Sequence, residues 1–143
     1  MKSKCDTIKP QKATTNFNYN RRNYHRVNVN HIECSISFVD FGTNKLQALV
    51  SKTVLGHIDD VSLGGIKLTA QIDLPVQYLI ISDLCFTLQS QEFNLRGEFV
   101  RKETKKESNY FVYGIKFLDM KKSDENRLAA IINEIELSKR GIG

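Results

Sequence analysis

From Val27 to Phe117 the apolar residues recur at every second position, a period that only strands with one face turned to a core satisfy. Val27 and Val29 run in one phase, and Ile32, Cys34, Ile36 and Phe38 continue in the other. The one-residue slip across Asn30–His31 predicts a β-bulge or bend inside a single strand. Asp40–Asn44 supplies a turn, after which Leu46, Ala48 and Val50 resume the alternation and predict a further short strand. Val54, Gly56 and Ile58 lead to Asp59-Asp60, and Ser62–Gly65 bends the chain into Ile66, Leu68 and Ala70. Leu84, Phe86 and Leu88 come next, then Phe93, Leu95, Gly97 and Phe99. The polar tip Lys102–Asn109 separates these from Phe111, Tyr113, Ile115 and Phe117. Many short strands joined by turns indicate an antiparallel barrel or sandwich.

The period changes once, near the end. Leu128, Ile131, Ile132 and Ile135 are spaced i, i+3, i+4 and i+7, the stripe of an amphipathic helix. Ser123 is the expected N-cap, with Asp124 and Glu125 in the first turn, where carboxylates suit the helix dipole. Lys139 and Arg140 suit the other end, and Gly141 can stop it. Such a stripe can close the mouth of a barrel; the other use is a partner-binding or dimerising helix. The 143 residues therefore divide into an N-terminal arm over 1–20 and one domain over 21–138. Its strands occupy about 27–118 and its helix about 124–138. No apolar run approaches the roughly 18 residues of a membrane span. Met1–Asn20 is polar and lacks the apolar core of a secretory signal, so the cytoplasm is the expected compartment.

Charge is unevenly placed. Met1–Arg26 holds seven basic residues against one acid, Asp6, whereas the other 117 residues carry 14 Lys or Arg against 15 Asp or Glu. An arm of that kind is expected to meet nucleic acid, an acidic membrane or a phosphorylated ligand. Cys5, Cys34 and Cys85 form no CxxC pair, and His25, His31 and His57 have no ligand spacing, so neither a disulfide framework nor a metal site is expected. Cys34 and Cys85 read as small core hydrophobes. Nucleophile elbows, phosphate-binding loops and dinucleotide fingerprints are all absent, and with them the motif basis for an enzyme or a bound cofactor.

Two short segments carry the candidate chemistry. Arg21-Arg22-Asn23-Tyr24-His25-Arg26 puts Arg22 and Arg26 on one face in either a strand or a helix. Lysine outnumbers arginine 14 to 7 in the chain, yet this cluster is all arginine. The planar guanidinium fork grips phosphate or the O6/N7 edge of guanine with two parallel hydrogen bonds, a geometry that a lysine ammonium does not present. The plainer use is a solvated basic stretch entering a strand. In Asp60-Val61-Ser62-Leu63-Gly64-Gly65, Asp60 can accept from the N1–H and N2–H of guanine and Ser62 can donate or accept beside it. Gly64 and Gly65 permit positive φ and close approach to a ligand. Equally, Asp60 and Ser62 can simply bond the amides of a turn.

Together these segments resemble the PilZ domain, a bacterial receptor module for cyclic di-GMP. The family's R-x-x-x-R element is matched by Arg22 and Arg26, with Arg21 completing a frequent double arginine. Its [D/N]-x-S-x-x-G element is matched by Asp60, Ser62 and Gly65, and Tyr113-Gly114-Ile115-Lys116-Phe117 fits the strand before the closing helix. The likeness runs from about Arg21 to Ile135. It implies a six-stranded antiparallel β-barrel with a C-terminal helix, no catalysis, and cyclic di-GMP as ligand. On that reading Arg22 and Arg26 hold phosphate and the Hoogsteen edge of guanine, Asp60 and Ser62 face a guanine, and Gly64 and Gly65 give the backbone room. An unidentified downstream protein is the implied partner. The competing classes are a small barrel that binds RNA or DNA and a PilZ-like protein–protein adaptor. A carboxylate at Asp60 opposes the first of these, because it repels a polyanion, and an adaptor has no need of the arginine pair. Three arginines within six residues repel one another, so Arg21–Arg26 is expected to be mobile until a ligand neutralises it.

Overall fold

The computed structural model describes residues 25–42, 44–50 and 52–139. Six strands form a closed antiparallel barrel: β1 (Val27–Phe41), β2 (Thr53–Val61), β3 (Gly65–Ala70), β4 (Ile80–Leu88), β5 (Gln91–Thr104) and β6 (Phe111–Leu118). Their order around the barrel is β1-β2-β3-β6-β5-β4, with β4 returning to β1. Helix α1 (Lys122–Lys139) follows. The family-type barrel and closing helix expected from the sequence are therefore present. Closure leaves no edge strand among the described residues.

The alternating residues point where their period requires. Cys34, Ile36, Ile58, Ile66, Leu68, Leu84, Phe93, Phe99 and Tyr113 are fully or almost fully buried in one cluster. Leu128, Ile131 and Ile132 of α1 join it, so the helix stripe does close the barrel. Arg127 fastens the lid: its guanidinium donates to the Glu92 carbonyl (3.1 Å) and lies 4.1 Å from the Phe93 ring centre. The expected slip in β1 is a bulge. Asn28 pairs with Asp60 and Ile32 with Ile58, and between them Asn30 and His31 adopt φ of 47° and 56°.

Three local expectations are corrected. Leu46, Ala48 and Val50 do not form a strand: Asn44–Leu49 is a 3-10 helix, with i+3 bonds continuing at Val50 to Gln47 and Lys52 to Leu49. β1 and β2 are already neighbours, so this connection has no free strand edge to pair with. The cap of α1 is not Ser123. Asp119, at φ 48°, turns the chain immediately after β6, and the helix starts from Lys121, whose carbonyl accepts from the Glu125 amide at 2.9 Å. Cys85 is not in the core, because Leu84, Phe86 and Leu88 hold the inward parity of β4; its thiol lies 3.7 Å from Glu92 on the outer face. Cys34 is buried, and burial pushes its thiol up to about 12, which makes it inert.

Two places invite stabilisation. Ser82 is fully buried opposite Phe38 and Gly97, and its hydroxyl has no hydrogen-bond partner. Ser82→Ala removes the unpaired group and is expected to stabilise the fold by about 1 kcal/mol, read as a higher urea midpoint at unchanged slope. The β4–β5 hairpin turns through Gln89 and Ser90 at φ 51° and 68°. Both are in the left-handed region that a two-residue turn of this hand reserves for Asn-Gly. Replacing the pair by Asn-Gly is expected to raise Tm by about 3 °C.

Candidate ligand site at the capped rim of the barrel

Antiparallel pairing throughout brings the start of β1, the end of β2, the start of β3 and the end of β6 to one rim. Val27 pairs with Val61, Val61 with Ile66, and Gly65 with Lys116. Arg26 and the Asp60–Gly65 turn both reach this rim, and it is the one α1 covers. The sequence spacing of the two motifs gave no sign of this. The register supplies it.

Arg26 sits just before β1, and its Nη1 donates to Oδ1 of Asp60 at 2.5 Å across 34 residues of sequence. The Arg26 side chain is 38% exposed and that of Asp60 15%, so the pair faces solvent from the arginine side. Lys67 on β3 is the cross-strand neighbour of Asp60. His25 is held as well: its Nε2 is 2.7 Å from Oε1 of Glu136 on α1. The last two residues of the cluster, His25 and Arg26, thus both have partners. Arg21 and Arg22 lie outside the described residues.

The turn between β2 and β3 is built by Ser62. Its side chain is almost wholly buried, and its Oγ accepts from the amides of Gly64 (3.1 Å) and Gly65 (3.3 Å). Its own amide donates to the Gly65 carbonyl at 2.9 Å. The hydroxyl therefore serves the turn. The Gly64 carbonyl accepts from Phe117 at 2.9 Å, tying the turn to the end of β6. Gly65 is required by the fold itself. A Cβ there would fall 2.0 Å from the Ile115 carbonyl oxygen, so its missing side chain makes room for β6. The rim thus offers a guanidinium fork and a carboxylate on a turn whose shape is fixed by internal bonds. That pair can hold an anion together with a hydrogen-bond donor edge.

Glu136 and Lys139 were not singled out in the sequence as site residues, yet they flank Arg26. Lys139 Nζ donates to the Asn28 carbonyl at 3.3 Å. Both lie 111 residues from their partners, and helix periodicity alone could not have placed them.

The chain belongs to the PilZ domain family, whose profile matches residues 20–134. Solved structures agree on the fold. The PilZ domain with c-di-GMP of YcgR from Escherichia coli superposes with a TM-score of 0.59 at 18% identity, over 85% of this chain and 95% of that one. YcgR in complex with c-di-GMP, also from Escherichia coli, gives 0.65 at 17% identity over 85% of this chain. The inhibitor of motility MotI from Bacillus subtilis gives 0.63 at 14%, again over 85%. This chain spans about half of the latter two, 48% and 52% of their lengths. No curated protein matches the sequence. No helix among the described residues is long and apolar enough to cross a membrane.

Proposed function

We propose that the protein is a noncatalytic receptor for cyclic di-GMP that binds its ligand at the α1-capped rim. One observation carries this reading: a PilZ-family chain brings the last arginine of R-x-x-x-R and the carboxylate of D-x-S-x-x-G into contact at 2.5 Å. Similarity to PilZ structures solved with c-di-GMP supports it. Arg21, Arg22 and Arg26 take the phosphates and the Hoogsteen edge of guanine, and Asp60 reads N1–H and N2–H. Ser62, Gly64 and Gly65 hold the turn that aims Asp60. The ligand neutralises the basic arm and fixes it beside the turn, creating a surface for a downstream protein.

Calorimetric titration tests this, with affinity and stoichiometry read together. Cyclic di-GMP is expected to bind clearly more tightly than cyclic di-AMP, which presents no N1–H and N2–H pair to Asp60. Two phosphates also predict a shallow salt dependence. A nucleic-acid binder loses affinity with a log–log slope of about −0.7 per phosphate contacted on single strands. Equal binding of both dinucleotides ends the role given to Asp60, and a steep slope with oligonucleotides favours the nucleic-acid class instead.

A further inference from the structure

The register sets Asp60 at one end of a rung that runs on across three more strands: Asp60 pairs with Lys67, Lys67 with Gly114, and Gly114 with Arg101. Each end of this rung is turned outward by a bulge in its own strand. On β2 the register slips between Ile58 and Asp60, and on β5 between Phe99 and Arg101. Ile58 and Phe99 are fully buried, so strict alternation sends the second residue after each of them into the core as well. The extra residue, Asp59 on β2 and Val100 on β5, brings Asp60 and Arg101 onto the outer face instead. Between the two ends the floor is bare. Gly114 has no side chain, and Arg101 folds back over it, with Nη2 3.2 Å and Cζ 3.3 Å from the place a Cβ would take. Lys67 stands on the other side of that glycine. Neither cation forms an ion pair with a described carboxylate. Glu98 and Glu103 flank Arg101 along β5, but they face Lys116 and Val112 across the ladder.

We propose that Arg101 is a specificity-determining residue, which reads the O6/N7 edge of the ligand's second guanine above the Gly114 floor. The inference rests on the receptor reading and deepens it. Arg26 and Asp60 are in contact, so together they serve one guanine, and a cyclic dinucleotide brings another. Neighbouring strands lie about 4.8 Å apart, which puts Gly114 about 10 Å along the rung from Asp60, a span that a ligand with two bases bridges. Lys67, between them, offers a point charge to a phosphate. The Arg101 fork lies over the floor rather than extended into solvent, in the path of a base arriving along the rung. Its paired N–H groups match O6 and N7 of guanine. Adenine keeps N7 but replaces O6 with an amino donor, which meets the fork donor to donor. The two ends of the rung thus read the two bases by different edges, Asp60 through N1–H and N2–H and Arg101 through O6 and N7.

Calorimetric titration with cyclic di-GMP, cyclic di-AMP and cyclic GMP-AMP tests this, because the last carries one guanine and one adenine. The wild type is expected to bind cyclic di-GMP about fivefold or more tightly than cyclic GMP-AMP. Arg101→Ala is expected to bring those two within about twofold of each other by weakening cyclic di-GMP alone. Cyclic GMP-AMP keeps its advantage over cyclic di-AMP in that variant, since Asp60 supplies it. Arg101→Lys retains the charge without the fork and is expected to lose the same discrimination. Gly114→Ala reaches the fork from below. The three atoms nearest its Cβ all belong to the Arg101 side chain, so the guanidinium is displaced while the barrel is kept, and the preference is expected to narrow here too. This variant decides the matter should the Arg101 variants lose their cooperative thermal transition. Arg96→Ala, on the same strand but engaged with Asp83, is the control and is expected to bind all three like the wild type. Three results overturn the proposal and leave the receptor reading standing: a wild type that does not distinguish cyclic di-GMP from cyclic GMP-AMP, an Arg101→Ala protein that keeps the full preference, or one that weakens toward all three ligands alike. Failure of the wild type to bind cyclic di-GMP removes the receptor reading itself, and the role of Arg101 with it.

Discussion

Gly65→Ala is expected to destabilise the barrel by about 3 kcal/mol. The three atoms nearest an added Cβ all belong to the backbone of β6: the Ile115 carbonyl oxygen at 2.0 Å, its carbon at 3.0 Å and the Lys116 Cα at 3.2 Å. No side chain can rotate away, so β3 and β6 must part at their first rung. That opens the pairing of Gly65 with Lys116 and strains the bond from Phe117 to the Gly64 carbonyl. Domains of this size hold about 5–15 kcal/mol in total, so the urea midpoint is expected to fall steeply. Gly56→Ala is the control. Two of its three nearest atoms, Leu68 Cδ2 at 3.1 Å and Ile36 Cδ1 at 3.3 Å, end flexible side chains that can shift by a few tenths of an ångström. A Gly65→Ala protein as stable as Gly56→Ala contradicts the close approach of β6.

Period and parity made most of the barrel legible. Alternation marks the buried face of a strand because side chains on a pleat project to opposite sides. Even the β1 bulge announced itself as a change of phase at Asn30–His31. The reading failed where two structures share one pattern. Leu46, Ala48 and Val50 alternate, but three such residues in a connection with no edge to pair against settle into a 3-10 helix. Cys85 was misplaced because its neighbours on both sides are apolar; only the inward set Leu84, Phe86 and Leu88 decides its parity. In the candidate site the residue types were legible and their duties less so. Ser62 and Gly65 read as site residues in a string of letters, and the fold adds duties that the string does not spell out: one builds a turn and the other clears a path for a strand. The Arg26–Asp60 contact depends on the register of Asn28 with Asp60, and nothing local encodes that. His25 with Glu136 depends in addition on how α1 lies over the rim.

Arg26→Ala is expected to lower cyclic di-GMP affinity at least tenfold, about 1.4 kcal/mol, while leaving the thermal transition nearly in place. The two halves of that expectation come from the same geometry. Arg26 is 38% exposed, and a pair so open to solvent contributes little to folding. For a bound phosphate or guanine edge the fork is decisive, because two parallel hydrogen bonds fix orientation as well as charge. Arg26→Lys keeps the charge but not the fork, and is expected to bind almost as poorly as the alanine variant. Asp60→Asn behaves differently. It frees Arg26 from its partner, which favours binding, and weakens the acceptor for guanine N1–H and N2–H, which opposes it. The two changes offset in affinity but not in selectivity, so the preference over cyclic di-AMP is expected to shrink more than the affinity for cyclic di-GMP does. Calorimetry with both dinucleotides on the three variants separates these effects. A folded Arg26→Ala protein that binds cyclic di-GMP like the wild type removes the arginine from the site, and with it the reason for placing the ligand at this rim.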